Sequence, residues 1–86
     1  MRMADRIEAA LREALAPAEL EVVDESAQHA GHAGAPAGGE SHFRVNIAAE
    51  ALGPMSRIER HRTIHAALGD EIIGAIHALA IEARGT

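Results

Sequence analysis

The stretch Glu40-Ser41-His42-Phe43-Arg44-Val45-Asn46-Ile47 decides how this chain folds. Phe43, Val45 and Ile47 alternate with His42, Arg44 and Asn46. That period of two belongs to a strand with one buried and one wet face. Phe43 is also the only aromatic residue in the chain. A glycine-rich stretch precedes the strand and a helix start signal follows it, which predicts the middle strand of a small sheet.

Working backward, Asp5 to Ala16 reads as a helix. Ile7, Leu11, Ala14 and Leu15 recur at helical spacing, and Pro17 ends the run. Leu20–Glu25 is a short first strand, with Leu20 and Val22 on one face and Val23 on the other. Between the two strands, 26–39 holds Ala, Gly, Pro, Gln28, His29 and His32 without periodicity, and is expected to be a long flexible hairpin loop. Working forward, Gly53-Pro54 is a turn. Ser56-Arg57-Ile58-Glu59 matches a capping box, with Ser56 as N-cap and Glu59 reaching back. The helix that follows should run to about Leu68 with Ile58, Ile64, Ala67 and Leu68 inward, and stop at Gly69. Asp70–Ile73 can form one more short helical turn ending at Gly74. Ile76–Ala83 closes the fold as a third strand, with His77, Leu79 and Ile81 on one side.

The order α-β-β-α-α-β makes the first two strands an antiparallel hairpin. The third returns through a helical crossover and should lie parallel to the second and beside it. The expected fold is therefore α+β, a three-stranded mixed sheet with helices on one face, in one domain spanning 1–86.

Composition narrows the chemistry. A chain of 86 residues buries only about 60–65% of the surface that its unfolded form exposes, so its core is thin. There is no cysteine, hence no disulfide and no thiolate of its own. No apolar run reaches membrane-spanning length and no signal peptide is evident, so a cytoplasmic location is expected. The formal charge of −5 argues against a strongly basic nucleic-acid binder. No serine sits in a nucleophile elbow and no glycine loop is placed to hold phosphate, so no enzyme is expected.

Six histidines are the compositional oddity. The topology gathers His29, His32, His42 and His77 at one end of the sheet, where the outer strands stand about 10 Å apart. By phase, His77 belongs to the helix-covered side and His42 to the open side. A loop histidine with His77 is then the best-placed pair, and His42 stands apart. A histidine at a strand start is more often a hydrogen-bonded surface residue than a ligand, and two imidazoles alone do not close a tetrahedral site. The pair is at most half a site. Arg57, Arg60, His61 and Arg62 give the second helix a basic start, which reads as a solvated face or as an anion contact.

The runs Asp24-Glu25-Ser26, Gly39-Glu40-Ser41-His42-Phe43-Arg44-Val45, Glu59-Arg60-His61-Arg62 and Ile76-His77-Ala78-Leu79 together resemble the BolA family. Their order and spacing cover nearly the whole chain. The resemblance implies a fold like that of class II KH domains. It also implies a [2Fe-2S] cluster bound jointly with a monothiol glutaredoxin, in iron–sulfur assembly or iron homeostasis. The family's C-terminal histidine corresponds to His77, and its loop ligand to His29, with His32 as substitute. Glutaredoxin and its glutathione would supply thiolates, and mixed histidine–thiolate ligation has a precedent in Rieske centres. The family also includes DNA-binding transcriptional regulators of stress response and cell shape, and in that alternative Arg57, Arg60 and Arg62 are the candidate contacts. The chain departs from the family at Leu52-Gly53-Pro54-Met55 and at His65. Where KH domains carry Gly-x-x-Gly, it has Ala66-Ala67-Leu68-Gly69-Asp70-Glu71, whose acids disfavour phosphate.

Overall fold

A computed structural model describes residues 2–25 and 42–86. The expected loop 26–39, with His29 and His32, lies outside the described residues. The elements are helix α1 (Met3–Leu15), strand β1 (Glu19–Asp24), strand β2 (His42–Ala48), a 3-10 turn (Glu50–Leu52), helix α2 (Arg57–Ala75) and strand β3 (Ala78–Arg84). β2 is central, paired antiparallel to β1 and parallel to β3. This is the α+β mixed sheet expected from the order of elements.

Alternation along β2 sets the layers. Phe43, Val45 and Ile47 are buried, whereas His42, Arg44 and Asn46 are only partly so. Ile7 and Leu11 of α1 and Ile64, Leu68 and Ile72 of α2 complete the core with them, and Leu52 and Ala49 close one end. The other sheet face carries polar rungs. Asn46 stands opposite Glu21 and Glu82, and Arg44 reaches Glu25 at 3.2 Å and Glu82 at 3.7 Å.

The capping box at the start of α2 forms as its sequence requires. Glu59 N–H donates to Ser56 Oγ at 3.2 Å, and Ser56 N–H donates to Glu59 Oε1 at 2.9 Å. Hydrogen bonding of the Glu59 carboxylate to the Ser56 backbone N–H first, and to the Ser56 side chain second, holds that carboxyl below its ordinary value. The helix breaks at Gly69, whose φ of 81° and ψ of 163° suit glycine, and resumes to Ala75. The two expected helical segments are thus present, joined at that residue.

Three expectations need correction. Ile58 is 63% exposed, not inward. The buried stripe Ile64, Leu68, Ile72 extends back by one turn to position 60, so Arg60 takes the inward place and Ile58 falls opposite. Ala14 is exposed as well, because α1 buries the Ile7–Leu11 line. Finally, β3 starts at Ala78 rather than Ile76, because α2 continues to Ala75 and Ile76 caps it.

At the far end of the sheet, Gly53 and Gly85 approach so closely that a Cβ on Gly85 would lie 2.4 Å from Gly53 Cα. Only glycine at position 85 leaves room for the turn to pass.

Candidate metal centre

The late start of β3 alters the histidine geometry. His77 precedes the first pair of the β2–β3 ladder, His42 with Ala78, so strand alternation does not fix its side. The imidazole of His77 is exposed and lies against that of His42, with ring centroids 5.1 Å apart and planes tilted by 49°. The expectation that His42 stands apart from His77 is therefore overturned. A signal for this was present in the sequence. Parallel neighbours start at the same end of a sheet, so the first residues of β2 and β3 are neighbours whichever face each prefers.

Both histidines are held by backbone. His42 C=O accepts from Glu25 N–H at 2.8 Å, which extends the β1–β2 ladder by one bond. His77 sits between the end of α2 and the first rung of β3. Imidazole nitrogens suit zinc, copper, nickel and iron. No group of three or more histidine or carboxylate ligands occurs among the described residues. Two imidazoles do not by themselves close a tetrahedral metal site, and the chain has no cysteine to add a thiolate.

The basic start of α2 divides into different roles. Arg60 donates from Nε to Leu52 O at 2.8 Å, from Nη1 to Ala83 O at 3.2 Å and from Nη2 to Gly53 O at 3.2 Å. Its guanidinium is a structural tie. Arg57 and Arg62 are exposed. Arg57, Arg60 and His61 line a cleft of about 260 Å³ against β3, and Arg84 on its far wall pairs with Glu19. At the break in α2, Glu71 pairs with Arg6 of α1 at 2.9 Å and Asp70 is exposed. No helix among the described residues is long and apolar enough to cross a membrane.

The fold defined by these elements is a small α+β domain built on a three-stranded mixed sheet. The family model for BolA-like protein matches residues 11–86, and the chain belongs to that family. It is 46% identical over 78 residues to BolA-like protein 1 of Mus musculus, covering 91% of this chain and 54% of that protein. Against the DNA-binding transcriptional regulator BolA of Escherichia coli (strain K12) it is 42% identical over 81 residues, 94% of this chain and 73% of that one. The chain thus spans little more than half of the mouse relative. Among solved structures, the BolA domain of SufE1 from Arabidopsis thaliana matches with a TM-score of 0.80 at 43% identity, covering 95% of this chain and 90% of that chain. None of these relatives is named for a catalytic activity.

Proposed function

We propose that this BolA-like protein holds one side of a [2Fe-2S] cluster shared with a monothiol glutaredoxin, in assembly of such clusters or in iron homeostasis. The observation that carries this reading is the exposed His77 imidazole, set beside a second imidazole at a sheet end in a cysteine-free chain. His77 supplies one nitrogen ligand. A histidine of the 26–39 stretch, His29 or in its place His32, supplies the second in the reading that the family resemblance implies. Glutaredoxin and glutathione supply thiolates. The bound cluster would contribute electron transfer or transfer of the cluster itself, and nitrogen ligation would raise its potential relative to an all-thiolate site.

Anaerobic co-purification with a monothiol glutaredoxin and glutathione tests this. A 1:1 heterodimer containing iron and sulfide is expected, with a visible spectrum unlike that of the glutaredoxin homodimer. A colourless mixture eluting as two separate proteins rejects it.

A second reading, DNA binding, is favoured by the name of the Escherichia coli relative and by the exposed Arg57 and Arg62. The bonds of Arg60 to three carbonyls leave two arginines of the expected three for phosphate. With a net charge of −5, association is expected to be weak and steeply salt-dependent. Sub-micromolar binding of a defined duplex near about 0.15 M salt, lost on changing Arg57 and Arg62, would reverse the order of the two readings.

A further inference from the structure

We propose that the cleft between the start of α2 and the free edge of β3 is a docking groove for an extended peptide segment that carries acidic side chains. The groove borders residues 81–84, toward the opposite end of β3 from His77, and is independent of the shared cluster. The sheet edge is open there. β3 is an outer strand, paired on one side only. Arg84 O accepts from Ala49 N–H at 3.1 Å, so the main-chain groups of Arg84 turn toward β2. Backbone polar groups point alternately to the two sides of a strand, so those of Leu79, Ile81 and Ala83 turn outward. Arg60 takes one of them, donating to Ala83 O at 3.2 Å. The outward groups of Leu79 and Ile81 have no backbone partner among the described residues. An edge of this kind is a template for a further strand, and an extended peptide adds to it through main-chain hydrogen bonds.

The opposite wall sets the charge of the occupant. Arg57 and His61 stand one turn apart on the same side of α2, line the cleft, and are exposed. Neither makes an ion pair among the described residues. The other charges at the cleft are engaged: Arg60 by three carbonyls, Arg84 by Glu19, and Glu82 by Arg44 at 3.7 Å. A guanidinium and an imidazole without partners, beside a space of about 260 Å³, fit a carboxylate. Ile58 adds an apolar contact. It is 63% exposed and lies three residues before His61, hence beside it on the helix surface. Neighbours on a helix surface are about 5–6 Å apart, close to the spacing of about 6.6 Å between residues i and i+2 of a strand. An acidic and an apolar side chain two residues apart in the peptide therefore match the Arg57–His61 pair and Ile58. A nucleic acid would also be drawn to the cations, but its phosphodiester backbone carries no N–H for the edge carbonyls.

The probe is a blocked, fluorescein-labelled heptapeptide in which threonine alternates with glutamate, valine and glutamate. Its order reads the same from either end, so parallel and antiparallel docking present the same side chains. Titrated with the full chain, it should bind at a single site, and the Leu79 and Ile81 amide signals should shift in ¹H–¹⁵N spectra while those of His42 and His77 stay in place. Replacing both glutamates by glutamine should weaken binding at least about fivefold, and so should Arg57→Gln. The two changes together should cost little more than either alone, because they remove the same contact. Arg62→Gln should change affinity by less than about twofold.

Two further peptides test the strand pairing without altering the protein. One is N-methylated at the three glutamate and valine nitrogens, the other at the two inner threonine nitrogens. Only one of these sets turns toward β3, so one peptide should lose at least about tenfold in affinity and the other should bind nearly as the parent does. Loss in neither or equally in both, equal effects of Arg57→Gln and Arg62→Gln, or no peptide binding at millimolar protein overturns the proposal, as does a DNA duplex that binds this wall where the peptide does not.

Discussion

Arg60 Nη1 donates to the main-chain carbonyl of Ala83 at 3.2 Å, so a helix side chain ties down the last part of an edge strand. The same guanidinium holds Leu52 O and Gly53 O, and it stands where the apolar stripe of α2 would otherwise continue. Charge-assisted bonds contribute about 1.5–3 kcal/mol, so Arg60→Met should cost about 2–3 kcal/mol in urea unfolding. Arg57→Met should change stability by less than about 0.5 kcal/mol. Equal effects from the two substitutions would show that Arg60 is no tie.

How much of this was legible in the sequence depends on the range of the signal. Phe43, Val45 and Ile47 announced the central strand, and Ser56 with Glu59 announced the start of α2, because alternation and capping are local. Gly69 was legible for the same reason, as a residue type demanded by one backbone conformation. The exposure of Ile58 was not, since the phase of α2 is set by where Arg60 finds carbonyls contributed by the preceding turn and by β3. The neighbourhood of His42 and His77 was half legible. Topology placed both at one end, but the phase argument assumed a strand from Ile76, and the strand starts two residues later, after a helix that runs to Ala75.

The capping box predicts an acid response. Hydrogen bonds with Ser56 lower the Glu59 pKa in the folded protein. A lowered carboxylate adds stability that is present above its unfolded value, ordinarily 4.5, and is lost as pH falls through the folded value. Glu59→Gln should remove that part of the pH dependence below about pH 4.5, leaving the curve near pH 7 parallel to wild type. Denaturant midpoints measured from pH 3 to 7 check it. An unchanged acid limb would count against the box. Ser56→Ala should cost about 1 kcal/mol at pH 7.

The two glycines of α2 should respond in opposite directions. Gly69 has φ of 81° with no atom within 4 Å of an added Cβ, so space is not the obstacle and backbone strain is. Gly69→Ala should cost about 1–3 kcal/mol. Gly74 has equal space and lies within the second helical segment, so Gly74→Ala should be neutral or stabilise by up to about 1 kcal/mol. Thermal midpoints of the two variants give the comparison.

Neighbouring residues of β2 separate the two faces of the sheet. Phe43 is 1% exposed, and truncation to alanine should cost about 3–5 kcal/mol, enough to unfold much of so small a domain. Arg44 bridges Glu25 and Glu82 on the wet face, where such ion pairs contribute little, and Arg44→Ala should cost less than about 1 kcal/mol. A large loss at Arg44 would mean that the open face is better packed than its exposure suggests.

The close pass of Gly53 and Gly85 has a practical corollary for labelling. Gly85 follows the last residue of β3, whereas His77 precedes the first, and a seven-residue strand is about 23 Å long. A fluorophore or affinity tag attached after Thr86 would depart beside the Gly53 turn, a whole strand length from the imidazoles. Position 86 is thus a handle from which the histidine end can be watched without being crowded, provided that Gly85 itself is left as it is.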